Sequence, residues 1–370
     1  MNSDTWVFVD DLINEAKAFA GQLRVGDYPL EVEVHGPAEA RELLLSRRIE
    51  PAGVLMDVDL SSAEREQGTG PGLAQDLRVK QRAGEIPEFP IARFAALAPV
   101  EKNVKGDPAS DDLFDIKIQK EELGRHLRSV QSRLRGLRKI YEALGAFDPS
   151  SDIGLDVLLG TTPEQREEWS HRSFDDRMAA ARQIAPHVAA GAFMRGFLLP
   201  TGLLIDAVVL GIRLGVDPSA SGKVWRDLLD RFPFKYSGVA SEHFERWWAR
   251  GFERWWFDTL GDGVAPPVAL TVAERVEVLS AKLGIQGLIP LKMPAGSPGE
   301  RPWRLCALSL DREPPEFVPV DAAESVRISS RADLPIWVDP LHAALKPALQ
   351  EKHDLRLNRS DLLRLGRKYG

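Results

Sequence analysis

Two adjacent aspartates, Asp10 and Asp11, close a short apolar run, Trp6-Val7-Phe8-Val9. A lone aspartate, Asp57, closes a second, Gly53-Val54-Leu55-Met56, and a lysine, Lys117, follows a third, Phe114-Asp115-Ile116. Such residues at the ends of three strands can collect a Mg²⁺ and a phosphorylatable carboxylate in one pocket. Mg²⁺ takes octahedral oxygen ligands, often one or two carboxylates plus water and a phosphate. Asp11 and Asp57 could ligate it, with Asp10 acting through water. Asp57 could also be a nucleophile, since carboxylates form aspartyl phosphates. Lys117 could then pair with a phosphate oxygen. The plain alternative is that strand-end aspartates cap the helices that follow them.

Elements that would position these residues are readable from periodicity. Residues 5–120 alternate strand-like and helix-like runs. Trp6 to Val9 reads as a buried strand, and Leu12 to Leu23 as an amphipathic helix with Leu12, Ala16, Ala20 and Leu23 on one face. Leu30 to Val34 alternates as a strand does. Ala38 to Ser46 reads as a helix, Gly53 to Met56 as a third strand and Leu73 to Arg82 as a helix after a Gly-rich turn. Phe89 to Ala95 and Leu113 to Ile118 complete five strands. Strands alternating with helices through short connections imply a mostly parallel sheet covered by helices. Ligands of such sheets bind at the carboxyl ends of the strands, where Asp10, Asp11 and Asp57 lie.

Residues 5–124 resemble a receiver domain of a two-component response regulator. The matching residues are Val9-Asp10-Asp11, Leu55-Met56-Asp57-Val58-Asp59-Leu60, Pro90 to Ala96, and Asp111-Asp112-Leu113-Phe114-Asp115-Ile116-Lys117. The resemblance implies a five-stranded, flavodoxin-like fold. It implies Asp57 as phosphoacceptor, Asp10 and Asp11 as Mg²⁺ ligands with the backbone of Asp59, Lys117 as phosphate partner, and a histidine kinase as donor. Three positions depart from the family pattern. Ala95 stands where a Thr or Ser hydroxyl normally contacts the phosphoryl group, Lys117-Ile118 replaces Lys-Pro, and Ser61 to Gly72 enlarges a short turn. The implied role is acceptance of phosphate with a non-DNA output or as a phosphate sink. Stand-alone regulators of this kind also occur in phage-defence systems that resemble two-component pathways.

A chain of 370 residues favours two domains. The expected division is a receiver domain over 1–120, a helical linker over 121–152 and an α-rich, α+β domain over 153–370. From Glu121 to Leu144 apolar residues recur at helical spacing opposite an Arg-rich face, which predicts a long helix and a possible homodimer seam. Residues 1–116 hold 12 Lys+Arg against 22 Asp+Glu, which argues against nucleic acid. The most apolar stretch, Phe197 to Leu214, contains Pro200, Asp206 and Arg213, so no membrane span is expected. One cysteine, Cys306, excludes an internal disulfide. With no leader-like N-terminus, the expected location is cytoplasmic.

The pentapeptide Phe244-Glu245-Arg246-Trp247-Trp248 recurs as Phe252-Glu253-Arg254-Trp255-Trp256. Eight residues is slightly more than two helical turns, so the copies would lie above one another in a helix, as core. Leu305 to Leu310, Val326 to Ser329 and Pro335 to Val338 read as strands, and Pro340 to Leu349 and Arg359 to Lys368 as helices. Residues 273–288 faintly resemble half of a helix-turn-helix, but Pro290 blocks a recognition helix. Two alternatives stay open: a pseudo-receiver that binds a partner without phosphorylation, and an enzyme whose site is assembled from dispersed C-terminal residues.

Overall fold

A computed structural model describes residues 4–60, 69–96, 113–146, 153–261, 263–294, 297, 299–310, 317–321, 323–329, 334–344 and 356–369. Five parallel strands, β1 (Thr5–Val9), β2 (Glu31–His35), β3 (Gly53–Met56), β4 (Ile91–Ala95) and β5 (Ile116–Gln119), run in the order β2-β1-β3-β4-β5. Helices α1 (Ile13–Leu23), α2 (Pro37–Leu45) and α3 (Gly70–Arg82) connect them. This is the flavodoxin-like order, with its crevice at the carboxyl edge. The central strands read as apolar runs because both faces are covered: every residue of β3 and β4 is buried, Arg93 of β4 being the one charged residue among them. Phe8 and Phe94 meet edge to face at 5.1 Å across this core.

A 27-residue helix, α4 (Lys120–Ala146), follows β5 without a break and bends at His126, whose φ of −135° and ψ of 36° are not helical. Its stripe of Leu123, Val130, Leu134, Leu137 and Ile140 is buried. The helix packs against α1 and against the helix Pro186–Phe193 of its own chain. The apolar seam expected to join two copies is therefore occupied within one chain. At Gly136 the approach is close enough that a Cβ would sit 2.3 Å from the Phe244 ring. The Arg-rich face is tied to its own unit as well. Arg138 pairs with Asp4 at 2.6 Å, Arg128 pairs with Asp27 at 3.4 Å, and Arg135 donates to the carbonyls of Tyr28 and Pro29.

The chain divides into two compact units. One comprises Met1–Pro163, Phe174–Leu199 and Ser237–Phe244; the other comprises Glu164–Ser173, Pro200–Tyr236 and Glu245–Gly370. The first unit thus carries helices beyond the sheet domain. Of the helical linker expected over 121–152, residues 147–152 lie outside the described residues.

The second unit is built from short helices and strands: α5 (Ala207–Leu214), α6 (Pro218–Leu229), α7 (Ala249–Leu260) and α8 (Val272–Leu283), with β6 (Leu204–Ile205), β7 (Trp247–Trp248), β8 (Pro302–Leu305), β9 (Pro319–Asp321), β10 (Ser325–Ser329), β11 (His342–Ala344) and β12 (Arg356–Leu357). Several local expectations are corrected. The first copy of the aromatic pentapeptide runs through a turn into β7, and only the second is helical, in α7; Trp247, Trp248 and Trp256 are core. The strand expected from Leu305 is β8 and then a short helix, Ala307–Leu310. Residues 335–338 form a turn, and β11 occupies part of the helix expected from Pro340. α8 opens with a Thr271–Glu274 capping box and ends at Gly284 in the left-handed conformation; no helix follows it among the described residues up to 294.

Candidate functional site at the carboxyl edge of the sheet

Asp10 follows the last residue of β1 and is fully buried. Its backbone N–H donates to His35 O of β2 at 3.3 Å, which seats it at the edge of the sheet. Its Oδ1 accepts the Leu12 N–H at 2.8 Å, so the residue does organise the entry to α1. Oδ2 faces inward and accepts from Lys120 Nζ at 3.0 Å. Asp57 follows β3. Its Oδ1 accepts the N–H groups of Val58 at 2.6 Å and Asp59 at 3.3 Å, and its Oδ2 accepts from Lys120 Nζ at 2.7 Å. One ammonium therefore joins the two strand-end carboxylates. Glu15, in the first turn of α1, approaches it at 3.6 Å, and the Phe19 ring lies 5.6 Å from it.

The lysine of the pocket is Lys120, not Lys117. β5 runs on to Gln119, and its alternation buries Ile116 and Ile118 while exposing Lys117 and Gln119. Lys117 is paired in register with Arg93 inside the sheet, and its carbonyl accepts from Arg133 Nη2 at 2.6 Å. Lys120, the first residue of α4, turns back over the strand ends. The alternation Ile116-Lys117-Ile118 was the available signal: it makes Lys117 a mid-strand position, and the strand runs one residue past its expected end, to Gln119.

The remaining expected residues fall around this centre. Asp11 is half-buried just after β1, and Asp59 contributes its N–H to the Asp57 carboxylate. Ala95 is the buried last residue of β4, in register with Gln119, and brings no hydroxyl. Asp111, Asp112 and residues 61–68 of the enlarged turn lie outside the described residues. Where the chain is described again, Thr69 caps α3 through Gly72 N at 3.2 Å. Gly70 comes so close that a Cβ would lie 2.0 Å from Asp57 O, so α3 begins directly against the Asp57 backbone.

Burial raises the Asp10 carboxyl to about 6, against the lowering effect of its bonds from Leu12 and Lys120. Burial acts to lower Lys120, yet the carboxylates of Asp57 and Asp10 hold it well above its ordinary value. The pocket is thus a fixed cation between two carboxylates. Both are hard oxygen donors of the kind Mg²⁺ uses. Among the described residues no three His, Cys, Asp or Glu side chains form a ready ligand cluster. A metal here would draw two ligands from Asp10 and Asp57 and the rest from water, Asp11 or backbone.

No family model matches the chain, and no curated protein does. Among solved structures, a trimeric coiled-coil segment of yeast Spc42 fused to another structure is similar over 42% of this chain and 89% of its own, at 20% identity and a TM-score of 0.29. A likeness at that score carries no argument about fold or assembly. Among the described residues, no helix is long and apolar enough to cross a membrane.

Proposed function

We propose that the first unit is a receiver-type phosphoacceptor that takes a phosphoryl group from a histidine kinase on Asp57, with an output through protein contacts or as a phosphate sink. The observation that carries this reading is the convergence of Asp10 and Asp57 on Lys120 at the carboxyl edge of a flavodoxin-like sheet. Asp57 Oδ1 is held by two backbone N–H groups, which leaves Oδ2 as the attacking oxygen. Oδ2 bonds to phosphorus as the P–N bond of the donor phosphohistidine breaks. The electron pair returns to the ring nitrogen, and a solvent proton leaves the donor imidazole neutral. Lys120, already on Oδ2, pairs with the incoming phosphoryl oxygens and lowers the cost of their charge. Mg²⁺ bound by Asp10 and Asp57 with water, and by Asp11 or the backbone of Asp59, would neutralise further charge on those oxygens.

Ala95 removes the hydroxyl through which receivers usually sense the phosphoryl group. Lys120 is both the phosphate partner and the first residue of α4, so any readout passes into the short turn before the bend at His126. The test is incubation with acetyl phosphate and Mg²⁺, read by intact mass. One phosphoryl adduct is expected on the wild type and none on Asp57→Asn. No adduct on the wild type, or the same adduct on Asp57→Asn, overturns the assignment and leaves a phosphorylation-independent interaction module.

A further inference from the structure

The second unit contains a polar cavity of about 270 Å³ whose lining includes Arg213, Arg250, Arg304, Glu253, Asp339 and Trp303. The three arginines come from α5, α7 and β8, so only the tertiary fold brings them together. Arg213 is 5% exposed, and its guanidinium lies 5.2 Å from the Trp303 ring centroid. Its Nη2 donates to Asp339 Oδ2 at 3.0 Å, while its buried Nε has no hydrogen-bond partner among the described residues. A buried, unpaired donor on a charged group is costly, and natural structures keep few of them. Arg304 contacts Ser325 at 3.4 Å and His342 at 3.3 Å, neither of them anionic. A fourth guanidinium, Arg275, lies 5.7 Å from the same Trp303 ring; its Nε and Nη1 donate to the carbonyls of Leu270, Ile212, Arg213 and Pro302, and its Nη2 has no hydrogen-bond partner among the described residues.

Positive charge is therefore in excess on the inner wall. Burial lowers Arg213 and Arg304 from their ordinary range; the Arg213 charge depresses Arg304 further, and Asp339 opposes the shift in both. Asp339 acts on both guanidiniums; Glu253 and Asp206 also act on Arg213, and Asp361 on Arg304. The rim has the opposite character: Glu253 is exposed at the mouth. It would repel a polyanion and accept hydrogen bonds from hydroxyl groups.

We infer that this cavity binds a small hydroxylated organic anion, with its phosphate or carboxylate group on Arg213 and Arg304 and its hydroxyls toward Glu253 and Asp339. Guanidinium forks match both oxyanions in geometry. The volume, near the lower end of small-molecule pockets at roughly 300 Å³, limits the ligand to a few carbons. This site is separate from the strand-end pocket and does not rest on the phosphoacceptor reading.

Calorimetric titration of the full chain at low ionic strength tests it with glycerol 3-phosphate, glycerate, inorganic phosphate and glycerol. Saturable binding of glycerol 3-phosphate or glycerate is expected, with none of glycerol; which of the two binds identifies the oxyanion. Arg304→Gln should weaken that binding by about tenfold. Glu253→Gln, a change at an exposed position, keeps a side-chain oxygen to accept from the ligand's hydroxyl while removing a like charge, so it should tighten binding, and it keeps the test open if Arg304→Gln does not fold. The inference is overturned if neither organic anion binds, if inorganic phosphate binds as tightly as glycerol 3-phosphate when glycerate does not bind, or if folded variants leave the affinity unchanged.

Discussion

Lys120 is the residue on which the strand-end pocket turns, because two buried carboxylates depend on its single charge. Lys120→Gln should slow phosphorylation by acetyl phosphate by about tenfold or more, from lost stabilisation of the phosphoryl charge. Lys117→Gln should leave the rate within about twofold. Time courses of intact mass separate the two, and equal effects would return the role to Lys117. Asp10 makes a second prediction. Its carboxyl titrates near 6 in the folded chain, against about 3.9 for an unperturbed aspartate, because burial outweighs its hydrogen bonds. The folded state holds that proton more tightly than the unfolded state. Its contribution to stability is therefore present below about pH 4 and lost as pH rises through about 6. Relative to Asp10→Asn, the wild type should lose up to roughly 3 kcal/mol over that window. Urea denaturation from pH 4 to pH 7 measures the slope, and parallel profiles would contradict it.

At the scale of elements, α4 is held to the sheet by a buried network that does not include Asp10, Asp57 or Lys120. Arg78 of α3 donates to Asp115 Oδ2 at 2.8 Å and to the Tyr141 hydroxyl at 3.2 Å, and that hydroxyl donates to Asp115 Oδ1 at 2.9 Å. Asp115 also accepts the Ile91 N–H at 2.8 Å, which fixes the start of β4. Tyr141→Phe should cost about 1.5–3 kcal/mol, because the hydroxyl is hydrogen-bonded to two charged partners, Arg78 and Asp115. Asp115→Ala should cost about 3–5 kcal/mol, because it strands the buried Arg78 charge. Chemical denaturation that ranked the two the other way would refute this account of the network. Gly136→Val tests helix packing: with the Phe244 ring so close, overpacking should destabilise the unit by about 1–3 kcal/mol. An unchanged midpoint would mean that the contact yields freely.

For the whole molecule, the strongest global feature is charge. The net formal charge is −7, with the acidic excess concentrated in residues 1–116. The basic stretch that follows is largely tied to its own unit by ion pairs and carbonyl contacts. No salt-dependent retention of duplex DNA is expected in a mobility-shift assay, and a retained duplex at low salt would contradict that reading. The sheet was legible because central parallel strands are buried on both faces, so they appear as apolar runs ending in Asp10 and Asp57. The long helix was legible because period-3.6 patterning needs no partner to be visible. By itself, the sequence determined the parallel sheet, the strand-end carboxylates and the extent of α4. The alternation around Lys117 already set that residue mid-strand; tertiary structure decided that Lys120 closes the pocket, since that depends on where β5 stops and how α4 turns back. It also decided that the α4 stripe is buried within one chain, and that Arg213, Arg250 and Arg304 share one cavity. These outcomes depend on contacts between residues far apart in the chain, which local periodicity does not encode.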